Sequence, residues 1–117
     1  MRRVTARVGH RIPERAPLRV ETGDVVTVGE RDETWPELVF VLTPEGSGRV
    51  PARHLSLHGD GTARVVAAYD TTELPTEAGE ELEVVEEDLA SGWLWCRAAT
   101  GREGWVPVST LVRSQAV

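Results

Sequence analysis

The sequence contains no lysine; all 13 of its basic residues are arginine. This goes with an abundance of Ala, Val, Gly and Glu and reads as genome composition, although guanidinium groups also suit bidentate recognition of carboxylates. Cysteine is nearly absent: Cys96 stands alone, so no disulfide can close within the chain. That pattern fits a reducing compartment and makes cytoplasmic the expected location. No apolar run reaches the length of a membrane span. The Arg-rich start is not followed by the apolar stretch of a signal peptide, and no membrane partner is expected. The groups that chemistry requires are scarce too. There is no Ser–His–acid set and no phosphate-cradling glycine loop, and His10, His54 and His58 lie apart, without Cys or acid at ligand spacing. The expectation is a protein that is not an enzyme and holds neither metal nor cofactor.

Positive charge is also missing from half of the chain. Residues 1–57 carry nine Arg against eight acids, whereas residues 58–117 carry four Arg against eleven, giving −7 there. Such a balance offers no electrostatic footprint for nucleic acid, which is therefore not an expected partner.

Aromatics are few, but they are concentrated. Trp93, Trp95 and Trp105 fall within thirteen residues. Alternation over Gly92–Ala98 predicts a β-strand that puts Leu94 and Cys96 on one face and Trp93 and Trp95 on the other. Gly101 and Gly104 are read as a hairpin turn, with Trp105-Val106 opening the return strand and Pro107 closing it. Tryptophans on one strand face predict an outward aromatic surface suited to binding. Cys96, facing inward with Leu94, is read as a small apolar core residue.

The chain repeats itself. Leu18, Gly23, Val28, Gly48, Val50, Pro51 and Leu55 recur 56 positions later as Leu74, Gly79, Val84, Gly104, Val106, Pro107 and Leu111. Asp24 recurs as Glu80 and Val26 as Leu82. The expected strands of the first copy are Val4–Val8, Val25–Val28, Leu38–Leu42, Arg49–Val50 and Leu55–Leu57, with Leu18–Val20 read as the far side of a loop. Gly9–Pro17 forms a loop, and a helical turn is expected at Pro51–His54. The second copy repeats the plan over Ala63–Ala68, Leu82–Val85, Gly92–Ala98, Trp105–Val106 and Leu111–Arg113, with a turn at Val108–Thr110. Short strands without an amphipathic helix predict an all-β fold of two small bent barrels, one over residues 1–57 and one over 62–117. His58-Gly59-Asp60-Gly61 is read as the joint.

Ala67-Ala68-Tyr69-Asp70, Glu73-Leu74-Pro75, Gly79-Glu80, Leu82-x-Val84, Gly92-Trp93, Gly101-Arg102-Glu103-Gly104-Trp105-Val106-Pro107 and Leu111 resemble, in order, an SH3 domain. The first copy resembles a divergent, variant SH3 domain of the bacterial type through Pro17-Leu18, Gly23-Asp24, Val26, Val28, Trp35-Pro36, Gly46-x-Gly48 and Val50-Pro51. The resemblance implies tandem five-stranded SH3-like barrels acting as a protein–protein interaction module. The family binds proline-rich segments because a polyproline II helix is already ordered and docks on aromatic ridges at small entropic cost. Carried over by position, the groove in the second copy would be Tyr69, Trp93 and Pro107 with Trp105 beside them. The acidic stretch Glu86-Glu87-Asp88, read as a loop, would receive an Arg or Lys of the ligand. Thr71 and Thr110 stand where the family has further tyrosines, so the groove is reduced. In the first copy Leu38, Arg49 and His54 replace groove aromatics, and no peptide binding is expected there.

Two other readings accompany this one. The aromatics, Trp95 and Phe40 among them, could instead be consumed in packing between barrels or between chains, giving a structural or oligomerisation unit and a homo-oligomer as partner. A module that binds cell-wall peptides, like bacterial SH3b domains, is the third, and the missing signal peptide argues against it.

Overall fold

Short alternating stretches produce only strands and single helical turns in the computed structural model, which describes residues 2–12 and 16–114. The strands are β1 (Arg3–Ala6), β2 (Arg19–Val20), β3 (Val25–Arg31), β4 (Leu38–Thr43), β5 (Gly46–Pro51), β6 (Leu55–Leu57), β7 (Thr62–Val65), β8 (Tyr69–Asp70), β9 (Glu81–Asp88), β10 (Trp93–Arg97), β11 (Glu103–Pro107) and β12 (Leu111–Arg113). Turns of 3₁₀ helix cover Ala52–His54 and Val108–Thr110, each following a proline that ends a strand. Part of the expected loop Gly9–Pro17, residues 13–15, lies outside the described residues. No helix among the described residues is long and apolar enough to cross a membrane.

The strands group into two compact units, and neither is a contiguous copy. The central unit is Arg15–Thr71; the outer unit combines Met1–Glu14 with Thr72–Val117. In the central unit one sheet runs in the order β5-β4-β3-β7-β6, beside the two-stranded β2-β8. In the outer unit the order is β11-β10-β9-β1-β12. All the neighbours in these sheets pair antiparallel.

This division differs from 1–57 and 62–117 in where the first strand of each copy goes. Strand β7, which opens the second copy in sequence, pairs with β3 and β6 of the first. Strand β1, which opens the first copy, pairs with β9 and β12 of the second. His58–Gly61, expected to be the joint, is instead the hairpin turn between β6 and β7. The His58 N–H donates to the Thr62 carbonyl at 3.0 Å, and Asp60 Oδ1 accepts from the Thr62 N–H and hydroxyl at 3.0 and 2.6 Å. Gly59 and Gly61 both hold positive φ, the conformation that tight reversals demand.

Each unit has its own core. Leu18, Val20, Val26, Val39, Val41, Val50, Leu55, Ala63 and Val65 fill the central one. Val4, Leu74, Leu82, Leu94, Cys96, Ala98 and Val106 fill the outer one, with Val84 and Leu111 packed against it. The repeated positions therefore occupy equivalent core sites: Leu18 and Leu74, Val26 and Leu82, Val50 and Val106.

Candidate peptide-docking face

Strand β10 is central to the site because both its neighbours set large side chains beside its own. Trp93 lies opposite Asp88 on β9 and Pro107 on β11, and Trp95 lies opposite Glu86 and Trp105. Beyond a bulge between Trp95 and Cys96, Arg97 lies opposite Glu83 and Glu103. Directly opposed residues share a face, so these nine side chains form one grid on the side of the sheet away from the core. Leu94 and Cys96 point the other way, as expected, and are 1% and 0% exposed.

The grid is tied together by polar contacts. The Trp95 indole N–H donates to Glu103 Oε1 at 2.7 Å, and Arg97 donates to Glu103 Oε2 at 2.9 Å and to Glu83 Oε1 at 3.1 Å. The Trp95 and Trp105 rings meet edge-to-face, with centroids 5.2 Å apart, the geometry that ring quadrupoles favour. The Trp95 N–H first, and Arg97 after it, hold the Glu103 carboxyl below its ordinary value of 4.5.

That shift gives a pH-dependent prediction. A carboxylate depressed in the folded state contributes stability above its unfolded pKa, and the contribution disappears as pH falls through the folded value. The stability difference between wild type and Glu103→Gln is therefore expected to be present at pH 7 and to shrink towards pH 3. Urea midpoints at both values measure it, and a gap that stays constant with pH would show that Glu103 is not held by Trp95 and Arg97.

The outward aromatic surface expected from alternation is mostly closed. Trp93 is 3% exposed and Trp105 7%, and Pro107 is also buried, leaving Trp95 half-buried. The His10 ring stands edge-on to Trp93 with centroids 5.6 Å apart. His10 Nε2 lies 2.9 Å from Glu73 Oε1, and both side chains are only 12% exposed. Along the edge of β11 the backbone of residues 72–74 runs beside Trp105: the Trp105 N–H donates to the Thr72 carbonyl and the Leu74 N–H to the Trp105 carbonyl, at 2.9 and 3.0 Å.

The expected acidic loop is the end of β9. Glu86 is exposed on the tryptophan face, whereas Glu87 is opposite Leu94 and ion-paired with Arg2. Asp88 is 6% exposed, and its carbonyl accepts from the Ser91 and Gly92 N–H groups, closing the turn into β10. An aspartate in that role is a turn former more than an open receptor for a cation.

Tyr69 is not brought to Trp93, Trp105 and Pro107 within one unit. It belongs to the central unit, pairing with Val20, packing against that core and meeting the His54 ring edge-on at 5.2 Å. The equivalent position in the outer unit is held by His10. Tyr69 pairs with Val20, and His10 bridges to Thr76, the residue 56 positions after Val20. Sequence reasoning placed His10 in a loop and missed it. The repeat could not reveal it, because Tyr69 and His10 lie 59 positions apart and cross between copies. In the central unit Arg49 occupies the place of Trp105, its guanidinium 5.3 Å from the centre of the Trp35 ring and 3.1 Å from Asp32 Oδ2. Burial alone would raise the Asp32 carboxyl, but the Trp35 N–H, Arg49 and the Thr34 N–H together hold it below its ordinary 3.8.

Among the described residues no group of three or more His, Cys, Asp or Glu is placed to hold a metal ion. The family model of the SH3 domain matches residues 67–108, and so an SH3 domain is found there. The matched stretch runs from the last five residues of the central unit into the outer one. No curated protein matches the chain.

Proposed function

We propose, from the SH3 domain found at residues 67–108, that this chain is a non-enzymatic protein–protein interaction module of two SH3-like units. The β9–β11 face of the outer unit takes an extended, proline-containing segment. The observation that carries this reading is the pairing of Trp95 with Glu86 and Trp105 on one sheet face, an aromatic ridge beside an exposed carboxylate. A preordered extended ligand needs a ridge for its rings and one acid for its cation, and this face supplies both. SH3 domains generally mediate protein–protein interaction, and cytoplasmic peptide segments are the partner class that fits.

The aromatic ridge can be tested directly. Trp95→Ala is expected to weaken binding of proline-rich peptides about tenfold or more while circular dichroism stays unchanged. Tryptophan indole N–H shifts on titration with a proline-rich peptide array would locate the contact. If none of the peptides moves the Trp95 resonance, the docking face is wrong.

One observation favours a second reading, a structural or oligomerisation unit. Trp93 and Trp105 are 3% and 7% exposed, so most of the aromatic area is already spent on packing. Under that reading Trp95→Ala lowers the melting temperature and leaves no peptide affinity to lose.

A further inference from the structure

The exchange of first strands is reciprocal and keeps the register. In the outer unit Val4 lies opposite Leu82 and Arg113, and Ala6 opposite Leu111. In the central unit Ala63 lies opposite Val26 and Leu57, and Val65 opposite Leu55. Leu82, Leu111 and Arg113 stand 56 positions after Val26, Leu55 and Leu57. The two seats are therefore the same seat, formed twice. Each takes a four-residue strand with one valine and one alanine inward, in opposite order along the register: Val4 stands where Ala63 does and Ala6 where Val65 does, all at most 2% exposed.

The order of valine and alanine fits each strand to its own seat, but a seat filled through backbone hydrogen bonds and that inward pair does not distinguish which molecule supplies the strand. The two strands differ in how they are held. β7 is joined to its sheet neighbour β6 by the hairpin at His58–Gly61, so it stays with its sheet. β1 has no such neighbour: the next strand along the chain, β2, belongs to the other unit. It is held in the outer unit by its own pairings, by backbone hydrogen bonds from the Ala6 N–H to the Glu80 carbonyl, from the Gly79 N–H to the Ala6 carbonyl and from the Arg7 N–H to the Thr110 carbonyl, by side-chain contacts of Arg3 with Glu81 and Thr5 with Ser114, and by the contacts of His10 with Thr76, Glu73 and Trp93, so exchange requires refolding of the outer unit.

We propose that residues 2–12 are exchanged between two copies of this chain, each molecule's β1 and His10 completing the outer unit of the other. The partner is a second copy, because the seat's register and inward pair are met by this chain's own sequence. The Trp93 site then receives its His10 from the partner molecule while its composition stays unchanged. Exchange competes with closure within one chain, so it is governed by concentration during folding.

The test uses full-length chains. Thr5 and Val112 are directly opposed across β1 and β12, so a disulfide joins cysteines at these positions when they are paired. Cys96, fully buried with its thiol pushed up to about 11, does not compete. Thr5→Cys and Val112→Cys chains are mixed, unfolded together, refolded near millimolar concentration and oxidised. The expected result is a disulfide-linked heterodimer in roughly tenfold excess over that from refolding at micromolar concentration. A control mixes Thr5→Cys with Val25→Cys, an exposed position in the central unit. Equal heterodimer in control and test, or none in either, overturns the proposal. Light scattering on the wild type after the same refolding provides a readout independent of the substitutions. A dimer that forms only at high concentration and persists on dilution is expected, and a monomer at every concentration counts against exchange.

Discussion

Cys96→Asp is expected to destabilise the protein by about 4 kcal/mol at neutral pH, enough to remove most of the stability of a small domain. Cys96 is 0% exposed, in the core with Leu94, Leu82 and Val106, and its Sγ makes a weak polar contact to the Leu94 carbonyl at 3.7 Å. Burial pushes its thiol up to about 11, so the site already disfavours a negative charge. Arg2 acts on the site in the opposite sense but is outweighed by burial, and a buried charge that is not fully compensated costs far more than the lost packing. Cys96→Ala separates the two effects, since it removes one sulfur's contacts and should cost about 1 kcal/mol. The sign with pH also follows. The buried carboxyl's pKa would be raised, so the penalty is full at neutral pH and relaxes as the acid takes up a proton on acidification. Urea midpoints at pH 7 and pH 4 give both numbers. A neutral effect at pH 7 would mean that Cys96 does not face the core and that the register of β10 is wrong.

The second large effect is expected at Gly104. A Cβ added there would lie 2.7 Å from the Glu73 carbonyl carbon and 2.7 Å from the Leu74 nitrogen. Both atoms are backbone, held in place by the two hydrogen bonds between Trp105 and residues 72–74. Neither can yield without breaking that bridge, so Gly104→Ala should cost about 3 kcal/mol. Its counterpart Gly48 makes the comparison. A Cβ there meets the Thr71 methyl at 3.1 Å and the Leu18 Cβ at 3.4 Å, and a small shift of the Thr71 side chain, without turning its hydroxyl from the Leu18 N–H, relieves the closer contact, so Gly48→Ala should cost about 1 kcal/mol. Thermal or urea denaturation of the two variants side by side gives the order. Equal losses would place the chain of residues 72–74 further from β11 than the structure has it.

The two glycines also show how far sequence reading reached. Gly104 was taken for part of the hairpin turn, yet it lies inside β11, and the reversal is made by Gly101 with φ 91°. The repeat marked Gly48 and Gly104 as special, but the cause is a close approach by a distant segment, which spacing cannot reveal. The inward set did follow from period two. Alternation alone sets Leu94 and Cys96 on the inward face, and they are in the core because a strand has only two faces and one is apolar. Alternation likewise put Trp93 and Trp95 on the opposite face, but it could not tell whether that face stays open. His10, held by Glu73, stands against Trp93 and bears on that, and it reaches the tryptophan from outside the hairpin.

From its residues alone this chain determined an all-β fold, a repeated pattern of turns and core positions, and an SH3-type hairpin carrying three tryptophans. Those properties are local or periodic, set by side-chain alternation, proline and positive-φ glycine. Only the tertiary structure decided which copy's first strand fills which sheet, and with it that His10 stands against Trp93. β1 and β7 both alternate two small apolar residues inward in one register, Val4 then Ala6 and Ala63 then Val65, so the alternation of the local pattern is satisfied by either pairing and the choice lies in side-chain packing across the sheets and in how the chain closes.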